Sequence, residues 1–173
     1  MTAYRRQGSR SNSNPLARDV QTPPEPLSSA ALRARAIAAL ARREHSRKEL
    51  EHKFLPFSEN PEQLAAVLDR LQSEGLLSDR RYAESVARTR GQRFGSARIR
   101  HELSQKGVAD NTLQSVVAEL RDSEADRLRQ VWERKFGTAP QSLQDASRQQ
   151  RFLAQRGFSA EAISRLLRSL RAG

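Results

Sequence analysis

Seven apolar positions of this chain recur twice, first at a spacing of 49 residues and then of 50. Ile37, Leu50, Phe54, Leu64, Val67, Leu68 and Leu71 map onto Val86, Ile99, Leu103, Leu113, Val116, Val117 and Leu120. The next step gives Phe136, Gln149, Leu153, Ile163, Leu166, Leu167 and Leu170, with Gln149 the one polar substitute. Self-similarity of this length marks one supersecondary unit written three times. Inside each unit the apolar residues fall three and four apart, the period of a helical face, and nothing from Ser28 onward alternates as a strand would. The expected fold is all-α, with three tandem three-helix repeats resembling helix-turn-helix units. Units this small bury little alone, so neighbours pack and form an elongated, curved body. The register predicts no gap inside a unit and places the extra residue in the connection after Leu120.

These repeats divide the chain into residues 28–76, 77–121 and 122–173. Residues 1–27, rich in Ser, Asn, Arg and Pro, have no periodicity and are expected to be a disordered basic tail. In the second unit Ser78 is the expected N-cap of a helix that buries Tyr82, Ala83 and Val86. Gly95 reads as a hinge that, with Ser96, opens the next helix, which presents Ile99 and Leu103 one turn apart. Gly107 supplies a left-handed stop, and Ala109 or Asp110 begins the third helix. In the third unit Trp132 and Phe136 are expected on the first helix.

Charge narrows the function. The chain carries a net +11, and arginine supplies 27 of its 31 Lys and Arg residues, so forked contacts to phosphate or carboxylate are available. Between Gly75 and Val108 stand eight basic residues against three acidic ones, with no acid from Ser85 through His101. On a helical wheel Arg81 and Arg88 differ by only about 20° and lie opposite Tyr82 and Val86. Arg98 and Arg100 flank Ile99 on either side of its helix. With Lys106 these are the candidate contacts to a polyanion or an acidic protein. Arg90 falls near the apolar face, where a structural role fits, and Glu84 is spaced to pair with Arg88. A DNA-reading recognition helix fits poorly: the third helix of the first unit carries Glu62, Asp69 and Glu74 against Arg70, and that of the second carries Asp110 and Glu119.

Other classes fall away. The chain has no cysteine, hence no disulfide or thiolate metal site. His45, His52 and His101 have no carboxylates at ligand spacing and read as surface histidines, so no metal, catalytic residue or cofactor is expected. No glycine-rich phosphate loop occurs. Aromatic residues, 5% of the chain, are too few for a dedicated base-stacking platform. With no apolar run long enough to span a bilayer and no secretory signal, a cytoplasmic protein without membrane contact is expected. An enzyme is not.

The run Gly75-Leu76-Leu77-Ser78-Asp79, followed by Tyr82-Ala83, Arg90, Gly95, Ile99, Leu103 and Gly107-Val108, resembles the RecX regulatory family. Ser46-Arg47-Lys48-Glu49-Leu50 is similar to that family's first-unit motif, and the likeness covers about residues 30–171. Where members typically carry an acidic pair this chain has Asp79-Arg80, which makes the local surface more positive. The resemblance implies structural roles for Asp79, Tyr82, Arg90, Gly95, Ile99, Leu103 and Gly107. It also implies a regulator, expected to be a monomer, that binds the RecA recombinase filament in its groove and restrains ATP hydrolysis, strand exchange and coprotease activity. Arg81, Arg88, Arg98, Arg100 and Lys106 would touch RecA and single- or double-stranded DNA phosphates. The alternative is a stand-alone DNA-binding protein or repressor.

Overall fold

Helix starts are written locally in the sequence. Ser28, Ser46, Asn60, Ser78, Ser142 and Ser159 each accept, on a side-chain oxygen, the backbone N–H three residues ahead. Such caps satisfy one of the amides that a helix leaves unpaired at its start. The computed structural model describes residues 25–172, and among them there are nine α-helices and no strand. They are α1 (Ser29–Leu40), α2 (Arg47–Phe54), α3 (Pro61–Ser73), α4 (Asp79–Arg90), α5 (Ser96–Gln105), α6 (Asp110–Asp122), α7 (Glu124–Lys135), α8 (Leu143–Gln155) and α9 (Ala160–Ala172). A single 3₁₀ turn, Leu55–Phe57, follows α2.

The fold is three tandem three-helix units. Helices pack mainly within their own unit: α1 and α2 on α3, α4 and α5 on α6, α7 and α8 on α9, with α6 against α7 as a contact between units. Each unit has its own apolar core. Leu32, Leu50, Leu68 and Leu71 anchor the first, Tyr82, Ile99, Leu103 and Leu113 the second, and Leu128, Trp132, Leu153 and Ile163 the third. Within the third, Gln149 is 3% exposed and accepts the Trp132 indole N–H at 2.6 Å. The polar interruption of the repeat is therefore the partner that lets a tryptophan be buried.

Several expectations are corrected. The register does slip inside the units, because the loop between the first two helices holds six residues in the first unit, five in the second and seven in the third. Only the second and third helices of each unit keep the 49- and 50-residue spacing. Phe136 lies just beyond α7, where its ring meets Phe152 edge-on at 5.2 Å. Leu27 belongs to the first unit: its N–H donates to the Phe57 carbonyl at 2.8 Å and its side chain packs on the first core. Of the rest of the expected tail, residues 1–24 lie outside the described residues.

Candidate functional site

Charged side chains bridge the two joints between units, and both joints are built alike. At the first, the Asp79 carboxylate, on the opening residue of α4, accepts the backbone N–H of Arg47, the opening residue of α2, at 2.8 Å. At the second, the Glu124 carboxylate, on the opening residue of α7, accepts the N–H of Ser96, the opening residue of α5, at 3.2 Å. Each of the first two units thus receives an acidic cap from its successor, where the helix dipole favours negative charge. This matters most for α5, whose N-cap is Gly95 and offers no side chain.

An arginine answers each acid. Arg81 donates to the carbonyls of Gly75 and Leu76 beyond α3 at 2.8 and 2.9 Å, and pairs with Glu44 at 2.9 Å. Arg127 donates to Gly91 and Phe94 at 2.8 and 2.9 Å and also reaches the Leu120 carbonyl. A left-handed glycine completes each joint. Gly107 rests on the Lys48 side chain, and Gly157 rests on the backbone and Cβ of Arg98. A Cβ on Gly157 would stand 2.6 Å from the Arg98 nitrogen, so that approach requires glycine.

Glu124 is 6% exposed, and its carboxylate also takes the hydroxyls of Ser96 and Ser159, each at 2.7 Å. Burial by itself would push its carboxyl up, but the hydrogen bonds from Ser159 and Ser96 outweigh it and hold the group below its ordinary value. Gly95 is no hinge. Its N–H donates to the Arg156 carbonyl at 2.9 Å, and a Cβ there would meet the Gly157 oxygen at 2.1 Å. The segment is pinned between two backbones.

Of the candidate contacts, Arg81 and Lys106 are engaged inside the first joint, with Lys106 pairing with Glu49 at 2.9 Å. Glu49 also pairs with Arg43 at 3.0 Å and lies 3.2 Å from the Nδ1 of His45. His45 is thus a buried joint residue rather than a surface one, and burial together with the Arg43 charge lowers its pKa. Burial, helped by the Glu49 and Glu102 charges, pushes the Tyr82 phenol up to about 12. Arg90 pairs with Glu102 at 3.0 Å, linking α4 to α5.

The remaining three candidates face outward. Glu84 pairs with Arg80 at 2.8 Å, not with Arg88, since helical side chains lean toward the N-terminus and Glu84 leans back one turn. Arg88 and Arg100 make no ion pair among the described residues, and the same holds for Arg93 in the α4–α5 loop. Arg98 stacks on Phe94 with its guanidinium 4.4 Å from the ring centre and donates to the Gln155 carbonyl at 3.2 Å. Arg98 and Arg100, two residues apart on α5, project to different sides. Arg100 lines a cleft with His101, Arg121 and Arg165, whereas Arg98 belongs to the Phe94 cluster. Sequence reasoning missed Phe94, Glu124, Arg127 and Arg156. The available signal for Glu124 was an acid opening the first helix of two successive units, at 79 and 124.

Such an arrangement defines a tandem three-helix-repeat scaffold with polar joints. Residues 78–117 match the family model described as RecX, second three-helix domain, and residues 122–167 match RecX, third three-helix domain. The chain is 45% identical to the regulatory protein RecX of Leptothrix cholodnii over 137 residues, covering 79% of this chain and 87% of that one. It is 43% identical to the regulatory protein RecX of Ralstonia nicotianae over 145 residues, covering 84% of this chain and 89% of the relative. The crystal structure of RecX from Lactobacillus salivarius superposes with a TM-score of 0.65 at 22% identity, covering 84% of this chain and 97% of that one. The chain belongs to the RecX family of regulatory proteins.

Proposed function

We propose that this protein is a non-catalytic regulator of the RecA recombinase: a cytoplasmic monomer that lies along the RecA–DNA filament and inhibits its ATPase, strand-exchange and coprotease activities. Family membership supports the regulatory role, since the relatives are named regulatory proteins. The observation that carries the filament reading is the division of the arginines. Arg81, Arg90 and Arg127 are held by partners inside the molecule, whereas Arg88, Arg93 and Arg100 face solvent without a carboxylate partner among the described residues. Arg88, Arg98 and Arg100 are the proposed contacts to acidic protein surface and DNA phosphate. Arg81 and Lys106 are assigned to the scaffold.

The test is ATP hydrolysis by RecA on single-stranded DNA, titrated with this protein. Inhibition is expected, and Arg88→Glu and Arg100→Glu, made separately because they lie in different clefts, each weaken it with helicity unchanged. A wild-type protein that leaves hydrolysis untouched at saturation overturns the reading.

A further inference from the structure

Position for position, Glu49 of α2 corresponds to Arg98 of α5, and Lys106 after α5 corresponds to Arg156 after α8, in the register kept by the second and third helices. The two joints therefore carry opposite charge at the former of these places and a cation at the latter. At the first, Glu49 neutralises Arg43 and Lys106. At the second, the acid is replaced by an arginine, and cations meet cations. Arg90, Arg98 and Arg156 stand 5.3, 4.4 and 5.8 Å from the centre of Phe94. Arg156 and Lys135 stand 4.3 and 5.7 Å from the centre of Phe152.

Within this cluster Glu102 pairs with Arg90, and among the described residues Arg98, Arg156 and Lys135 make no ion pair, with Arg98 and Lys135 open to solvent. The Arg156 Nε is buried with no hydrogen-bond partner among the described residues. The adjoining cleft is lined by Gln92, Arg93, Val131, Arg134, Lys135 and Arg156, with no acid among them. Like charges held together in the free protein favour any ligand that neutralises several at once.

We propose that this second joint docks the phosphodiester backbone of a nucleic-acid strand. A strand brings one negative charge per nucleotide, so neighbouring phosphates can reach several of these cations together, and the guanidinium forks match phosphate oxygens. The rings of Phe94 and Phe152 hold arginines in place and are not stacking platforms for bases, so recognition is of backbone rather than sequence. The proposal deepens the filament reading by assigning where nucleic acid touches the protein, and it rests on that reading for its setting.

The experiment is fluorescence anisotropy of labelled oligo-dT, a mixed-sequence single strand and a random duplex with the full chain in the absence of RecA, across a salt series. Arg93→Glu with Lys135→Glu, both exposed, is compared with the charge-matched pair Arg35→Glu with Arg42→Glu, both exposed in the first unit, and Arg93→Gln with Lys135→Gln serves as the milder variant. The joint pair is expected to weaken binding about tenfold more than the charge-matched pair, equally on each nucleic acid, with a shallower salt slope. Equal loss in both pairs, a loss confined to one sequence, or no loss overturns the site. A wild-type chain that inhibits RecA yet binds no naked nucleic acid overturns the site while leaving the filament reading standing.

Discussion

Glu124 and Ser96, on the first residues of α7 and α5, form a buried carboxylate–hydroxyl contact of 2.7 Å that locks the third unit to the second. The neutral variant Glu124→Gln keeps the shape but loses charge-assisted hydrogen bonds, each worth about 1.5–3 kcal/mol. Its carboxyl is held below the ordinary value, so the stability it contributes is complete above the unfolded-state pKa and disappears as pH falls through the lower folded-state value. Chemical denaturation from neutral pH into the acid range should show wild-type stability falling below about pH 4.3, the unperturbed glutamate value, with a shallower fall in Glu124→Gln. Parallel curves for the two proteins contradict this assignment.

Two glycines separate backbone strain from crowding. Gly75 and Gly157 both have positive φ, 72° and 81°, but a Cβ on Gly75 meets nothing within 4 Å whereas one on Gly157 runs into Arg98. Gly75→Ala should lower stability by about 1–2 kcal/mol, the ordinary left-handed penalty. Gly157→Ala should lower it by clearly more, and should raise amide exchange at Gly95 and Ala97, whose N–H groups donate to Arg156 and Gly157 across the joint. Comparable losses in melting experiments would show that the joint gives way freely.

Restoring the repeat at Gln149 should harm the protein. Gln149→Leu matches Leu50 and Ile99 at the corresponding positions, yet it strands the buried Trp132 indole N–H. An unsatisfied buried donor costs about 1–3 kcal/mol. Adding Trp132→Phe removes that donor, so the double variant should recover part of the loss in a denaturation-based double-mutant cycle.

Glu49→Gln tests the charge reversal between the joints. Losing the carboxylate releases Lys106 and Arg43 from their ion pairs, giving the first joint an unneutralised cationic patch of its own. Nucleic-acid affinity at low salt should rise, about severalfold, and the gain should vanish as salt is raised. An unchanged anisotropy curve would mean that charge at a joint does not govern binding.

The helices and the three cores were legible because burial imposes a period, as Ile99 with Leu103 and Leu166 with Leu167 and Leu170 illustrate. What the period could not carry was the length of each first loop, since loop residues such as Arg43 or Gln92 bury no apolar stripe and leave no register. The joints were illegible for a different reason. The Arg47 backbone N–H meets Asp79 across 32 positions and the Arg98 guanidinium meets the Gln155 carbonyl across 57, and nothing local announces either contact. The opposite sides taken by Arg98 and Arg100 followed from the helical angle alone. The pairing of Arg81 with Glu44 and of Lys106 with Glu49 required knowing which unit stands beside which.

Because each unit closes its own apolar core and meets the next through a carboxylate, an arginine and a glycine, the two kinds of bond answer to different solvents. Salt and acid act on the seams, while denaturants act on the interiors. Each coupling rests on one acid, Asp79 at the first and Glu124 at the second, that caps a helix of the preceding segment.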